Sequence, residues 1–230
     1  MTLLIGVRCR DGVAAGADSK ILRGGEVEYS DKLFERNNVV MGIEGLTGIR
    51  DDFLLLLDAE IARRVEKITR LYEMKIIVEE IVSGLTKRYA DRVGESPPIG
   101  VLLAGLEKIT KGKAILYFIH GIGYGERVNF ICSGHGGPYA TSLARYLLSQ
   151  ELTVEENAKL IAFVISWVSE ELDATVGGRP LVAMIRDYDE SITYLDDDVI
   201  DDMMDKAQIA KKELRKLFPL GFSESNGLRE

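Results

Sequence analysis

Histidine, cysteine and long apolar runs are all scarce in this chain of 230 residues. Its two histidines, His120 and His135, leave little material for a Ser-His-Asp triad. Its two cysteines, Cys9 and Cys132, fall inside strand-like patterns with no metal-ligand spacing around them. Buried, reduced thiols are the reading that the burial habits of cysteine favour. The longest apolar runs, such as Phe53–Leu57, are far too short to cross a bilayer. The N-terminus lacks a basic segment followed by an apolar core, so no secretion signal is expected and a cytoplasmic location is. Positive charge is in deficit as well: 29 Lys and Arg against 37 Asp and Glu give a net charge of −8, which opposes nonspecific nucleic-acid binding. Low-complexity linkers are missing, and so are internal repeats of roughly 20–50 residues.

What is present is an ordinary folded balance, 46% hydrophobic and 29% charged, at a length that fits one sizeable domain. Segments 2–9 and 12–18 read as short strands separated by Arg10-Asp11-Gly12. Ile21-Leu22-Arg23 and Val27-Glu28-Tyr29 flank Gly24-Gly25 as a hairpin, and 32–36 and 39–43 flank Asn37-Asn38 as another. From about 49 to 70, and again from 75 to 92, apolar residues recur at helical spacing. Strand character returns at 99–106, 114–119 and 128–132. Helices follow at 137–150 and 154–173, the second opened by a capping box at Thr153-Val154-Glu155-Glu156, with Trp167 read as core. Strands at 181–185 and 192–195 close the pattern. A last helix at 198–218 has acids at its start and bases in its last turns, and is ended by Pro219 and Gly221 before a loose tail. Strands, two helices, strands, two helices, strands, helix is an α/β (α+β) order. The layering that buries both sheet faces and the helix stripes is a four-layer α-β-β-α sandwich.

Thr2 follows Met1 directly. Removing Met1, as aminopeptidases do before small residues, would create an N-terminal threonine, with a hydroxyl nucleophile and an amine base in one residue. That arrangement needs no histidine. The freed amine would have a pKa of about 8, low enough to accept the proton of Thr2 Oγ1 near neutrality.

Four segments then carry a family resemblance. They are Thr2 through Asp18-Ser19-Lys20; Ser30-Asp31-Lys32-Leu33; Gly42-Ile43-Glu44-Gly45-Leu46-Thr47-Gly48; and Cys132-Ser133-Gly134-His135-Gly136-Gly137-Pro138-Tyr139-Ala140. In this order they resemble the proteasome β-subunit family of N-terminal nucleophile (Ntn) hydrolases. The resemblance runs over residues 2 to 187 and implies the Ntn-type sandwich. It describes one proteasome-like domain over 1–230: a core at 1–187, a closing strand and C-terminal helix at 188–218, and a tail at 219–230. Three positions depart from the family pattern. His135 stands where most relatives have serine, Val176 replaces the serine of Asp173-x-x-Ser-Gly-Gly, and Glu44 replaces a small residue.

The resemblance also implies roles. Thr2 is the nucleophile, and Lys32 is an ammonium that favours its alkoxide and is held by Asp18. Gly45 is an oxyanion-hole amide, or a glycine required only by a tight turn. His135 hydrogen-bonds the amine or shuttles a proton, or else caps a helix. Asp173 supports the site by hydrogen bonding. Ile21, Ser30, Phe34, Ile43, Thr47 and Asp51 fall at positions resembling the first specificity pocket, where an apolar floor suits a hydrophobic side chain and Asp51 could admit a basic one. This chemistry calls for no metal and no cofactor. The implied activity is a threonine endopeptidase on polypeptide substrates. It is carried out by a homo-oligomer, as a ring in related proteins, with an α-type ring or an ATPase as further partner. A transpeptidase or ligase on the same scaffold, or a noncatalytic subunit, remain the alternatives.

Overall fold

The computed structural model describes residues 2–23, 26–64, 70–93, 99–108 and 112–217. Two five-stranded antiparallel sheets form its centre. The first takes β1 (Leu4–Arg8), β2 (Gly12–Ala17), β10 (Phe130–Ser133), β11 (Leu181–Arg186) and β12 (Ile192–Tyr194), in the order β10-β1-β2-β11-β12. The second takes β5 (Leu33–Arg36), β6 (Val39–Gly45), β7 (Ile99–Glu107), β8 (Lys113–His120) and β9 (Tyr124–Val128), in sequence order. A separate hairpin pairs β3 (Lys20–Arg23) with β4 (Glu26–Tyr29).

Side chains alternate along each strand, and here both faces find apolar partners. Leu3, Ile5 and Val7 face α3 (Gly137–Leu147) and α4 (Val154–Glu171), in a cluster with Ile161, Ile165 and Val182. Leu4, Val13, Ala15 and Ala17 face the other sheet, meeting Val40, Leu102 and Leu116. On that sheet Met41, Ile43, Val101 and Leu103 face α1 (Thr47–Arg63) and α2 (Leu71–Val93), through Phe53, Leu57, Met74 and Ile77. The three clusters are the three interfaces of an α-β-β-α sandwich. On the first sheet's outer side α5 (Asp197–Leu217) packs on α4, with Ile200 and Met203 in the same cluster as Ile161. The small residues of β2 let α4 approach closely: a Cβ on Gly16 would stand 2.4 Å from Ile161 Cγ2.

The four layers match the expectation from sequence, and several details refine it. Asn37 and Asn38 both take positive φ, 51° and 58°, as a two-residue hairpin turn requires. Thr153 caps α4 with the full reciprocal box. The expected single strand over 128–132 is instead two. Val128 ends β9, which pairs with β8, whereas Phe130–Ser133 pairs with β1 in the other sheet. Asn129 is the crossing point, its carbonyl accepting the Arg8 N–H. The first helix stops at Arg63, short of the expected 70, and residues 65–69 lie outside the described residues. Trp167 is half-exposed and stacks on Phe163 at 6.1 Å, so it borders the core instead of filling it. Gly24-Gly25 and the expected stop at Pro219 and Gly221 also lie outside the described residues. Cys9 and Cys132 are free thiols, raised by burial to about 11 and about 12.

Two polar clasps join the sheets at opposite ends of β1. At the Arg8 end, Asp187 takes a two-pronged bond from the Arg8 guanidinium, at 2.8 and 2.6 Å, and the N–H of Ala114 from β8 at 2.9 Å. At the other end the clasp is Asp18 with Lys32.

Candidate active site

Thr2 sits just before β1 and is almost fully buried. Its carbonyl accepts the N–H of Gly136 at 3.2 Å. The chain passes so close here that a Cβ on Gly134 would lie 2.2 Å from that oxygen, and Gly134 has φ 83°, so glycine is required twice over. Among the described residues Thr2 Oγ1 has no hydrogen-bond partner, which leaves the hydroxyl uncommitted.

Asp18 follows β2, the neighbour of β1, so pairing of Leu4 with Ala17 brings it level with Thr2 and Leu3. One oxygen accepts the Leu3 N–H at 2.8 Å and Lys32 Nζ at 2.7 Å, and the other accepts the Gly177 N–H at 3.1 Å. Lys32 precedes β5 in the opposite sheet, and its carbonyl accepts the Ile43 N–H. The ion pair therefore spans the two sheets. Both side chains are sealed from water, with exposures of 3% for Lys32 and 0% for Asp18. Burial pushes the Lys32 ammonium below its ordinary range, with Arg50 adding to the effect, while Asp18 pulls the other way.

A pocket of about 70 Å³ opens beside this pair, lined by Thr2, Lys32, Ile21, Leu22, Ile43, Gly45, Leu46, Thr47 and Arg50. Gly45, at φ 126°, ends β6, and α1 begins two residues later. Leu46 at the N-cap has no side chain that could cap, and the first turn holds no acid. The helix N-terminus at the pocket is thus a source of uncapped amides and positive potential, suited to a developing oxyanion.

Of the expected site residues, the structure brings Thr2, Asp18, Lys32 and Gly45 together, and Ile21, Ile43 and Thr47 line the same pocket. Ser30, Phe34 and Asp51 are not in its wall. Ser30 is bonded to the backbone around Ser19 and Asp31, and Phe34 packs toward the α1–α2 core. Asp51 is 55% exposed. His135 is also 55% exposed, on the loop before α3, with Nε2 3.9 Å from Asp173 Oδ2. Asp173 spends Oδ1 on the N–H and hydroxyl of Thr175, and Oδ2 is buried with no hydrogen-bond partner among the described residues. Val176 fills the core beneath Gly136, where a Cβ would meet its Cγ2 at 2.6 Å. Among the described residues no group of three or more His, Cys, Asp or Glu converges as a metal site requires.

Two residues of the site escaped the sequence reading. Arg50 lies three positions after Thr47 and so shares its helix face, a spacing that could have flagged it. Glu44, noted only as a departure, turns its carboxylate toward Ser133 Oγ, which donates to it at 2.7 Å. It lies over Gly100, where a Cβ would meet Oε1 at 2.5 Å. Burial raises the Glu44 carboxyl above its ordinary 4.5, against the pull of Ser133 and His120. The folded state thus holds this proton more tightly than the unfolded chain. The stability it contributes is complete below pH 4.5 and is lost as pH rises through the raised value. Glu44→Gln, which mimics the protonated form, should therefore gain melting temperature over wild type as pH rises toward neutrality, and lose that gain in acid. Thermal melts at stepped pH read the difference.

Known proteins share this architecture. The structure of Anbu (ancestral beta-subunit) from Yersinia bercovieri superimposes with a TM-score of 0.77 at 16% identity, covering 95% of this chain and 97% of that one. An Anbu (Gly-1) mutant from Hyphomicrobium sp. strain MC1 gives 0.74 at 14% identity, covering 94% and 97%. In sequence, Proteasome subunit alpha of Methanococcus vannielii is 22% identical over 222 residues, which span 94% of this chain and 83% of that protein. Its counterpart in Methanococcus maripaludis is 24% identical over 177 residues, 74% of this chain and 66% of that protein. The family model for the proteasome subunit matches residues 2–182, and with most of the chain inside that match, the protein belongs to the proteasome subunit family.

Proposed function

We propose that this chain is a threonine-type endopeptidase that cleaves polypeptides through an acyl-enzyme on Thr2. The observation that carries the reading is the buried Lys32–Asp18 pair, whose lysine lines the same pocket as Thr2. A sealed ammonium held by one carboxylate is costly to bury, and a fold that only needed packing there would do as well with apolar side chains. Removal of Met1 frees the Thr2 amine. The amine takes the Oγ1 proton, directly or through water, as Oγ1 attacks the scissile carbonyl. The carbonyl oxygen becomes an oxyanion beside Gly45 and the start of α1. Collapse expels the amine half of the substrate with the proton, and water then releases the acyl half and restores the hydroxyl. Copies of the chain assemble, as a ring in this reading, in the cytoplasm, with an α-type ring or an ATPase as partner.

The name shared by the two curated relatives, Proteasome subunit alpha, favours a second reading, a subunit that assembles without catalysis. The two readings part at the N-terminus. Intact-mass measurement of the purified protein should show loss of Met1, and a covalent inhibitor directed at N-terminal threonine should add one adduct mapped to Thr2. Retention of Met1 would sink the peptidase reading and leave the structural one standing.

A further inference from the structure

We infer that the pocket beside Thr2 is an acid-selecting subsite, in which Arg50 receives the carboxylate of a glutamate or aspartate preceding the scissile bond. The inference names the substrate class for the peptidase reading above and rests on it.

Arg50 lies one turn into α1 with its side chain only 13% exposed, and it lines the pocket together with Thr2 and Lys32. Its guanidinium is positioned but not saturated. It lies over the Phe34 ring, 5.7 Å from the centroid, in a cation–π contact. Nε and one N–H on Nη2 reach the same Asp51 oxygen, both at 3.2 Å, and one N–H on Nη1 reaches the Asp31 carbonyl at 3.3 Å. All three bonds are long for charge-assisted ones. Of the five N–H groups a guanidinium carries, two are left without a partner among the described residues.

The groups around it decide the sign of the pocket. Asp51, 55% exposed, holds one edge of the guanidinium from the solvent side through one oxygen, which leaves the two remaining N–H groups to a ligand. Lys32 brings a second positive charge to the wall, already balanced by Asp18. The uncapped start of α1 adds positive potential at Gly45, Leu46 and Thr47. The remaining walls, Ile21, Leu22 and Ile43, are apolar and accept the methylenes of a short side chain. A volume of about 70 Å³ holds several waters or one such side chain. These donors gather in a chain of net charge −8, so their clustering is local and not a consequence of composition. A carboxylate that enters displaces water from a planar donor pair already in place, the geometry for which arginine is suited. A basic side chain would instead bring donors against the open N–H groups of Arg50 and a helix N-terminus.

The test uses the processed full-length protein and four blocked peptides that differ only in the residue before the scissile bond: Glu, Gln, Leu or Arg. Their uncleavable amide counterparts serve for titration calorimetry. The inference expects kcat/KM and affinity for Glu to exceed those for Gln and Leu by about tenfold or more, with Arg the poorest. In Arg50→Gln the Glu preference collapses to near unity, and in Arg50→Glu the order of Glu and Arg inverts. Melting curves confirm that both variants are folded. Cleavage of all four peptides with Glu no better than Gln, or affinities that do not distinguish them, overturns this inference and leaves the peptidase reading intact. Tighter binding of Glu without any cleavage supports the subsite and overturns the peptidase reading. Failure to bind any of the four overturns the subsite.

Discussion

Thr2→Ala should abolish the proposed peptide hydrolysis, by roughly four orders of magnitude or more in kcat, the scale on which an isolated nucleophile is lost from a hydrolase. The change is chemically narrow. Alanine, like threonine, permits removal of Met1, so the free amine is still produced and only the hydroxyl and one methyl are missing. Oγ1 holds no hydrogen bond among the described residues, so no partner is orphaned and stability should fall by no more than about 1 kcal/mol. Lys32, Asp18 and the amides near Gly45 stay in place and still bind substrate, so KM changes far less than kcat. Thr2→Ser keeps amine and hydroxyl together and should retain a measurable fraction of the rate. Hydrolysis by Thr2→Ala at the wild-type rate would remove Thr2 from the chemistry whatever the N-terminus looks like. The readout is steady-state cleavage of a fluorogenic peptide by proteins whose intact mass confirms Met1 removal.

The parts of this site that were legible in the sequence are those set by local chain chemistry. Thr2, Asp18 and Lys32 each flank a short strand bounded by turn residues, and strand pairing then carries them to one end of the sandwich. Asn37-Asn38 announces its hairpin through residues that tolerate positive φ. What stayed hidden depends on tertiary pairing. The run from Val128 to Cys132 is interrupted only by Asn129, and nothing local says that Val128 pairs with one sheet while Phe130 pairs with the other. β9, with Tyr-Gly-Glu-Arg-Val, is a mostly exposed edge strand and carries no apolar alternation. Of the six residues expected around the pocket, Ile21, Ile43 and Thr47 line it, and Arg50 lines it where Asp51 was expected. Arg50 and Asp51 are adjacent, yet successive helix positions point about 100° apart. The arginine faces the pocket and the aspartate faces water. α1 has apolar residues around much of its circumference, including Leu54, Leu55, Leu56 and Leu57, so periodicity alone could not have set its rotation.

Asp18→Ala should be the most damaging single change to the fold at this site, and it separates the structural role of the ion pair from the chemical one. The substitution leaves the Lys32 ammonium in a place that is 3% exposed, and it strips the Leu3 and Gly177 N–H groups of their acceptor. Removing one partner of a buried pair costs about 3–5 kcal/mol, a large share of the roughly 5–15 kcal/mol that holds a typical domain together. Lys32 can lower this cost by giving up its proton. Its pKa is already depressed by burial, and Asp18, the group pulling it back, is gone. A base whose folded pKa lies below its unfolded value binds fewer protons folded than unfolded, so stability rises with pH between the depressed value and 10.5. Asp18→Ala should therefore recover part of its lost stability as pH is raised, more steeply than wild type, in urea melts stepped from neutral to alkaline pH. Activity should not recover with it, because in the proposed mechanism only a charged Lys32 favours the Thr2 alkoxide. The double variant Asp18→Asn/Lys32→Met completes the argument. It removes both charges, keeps a side-chain oxygen for one of the N–H donors, and should be more stable than Asp18→Ala while remaining inactive. If the single and double variants lose equal stability, the pair is not coupled as its 2.7 Å contact implies. If the double variant cleaves peptides, the ammonium has no part in the reaction.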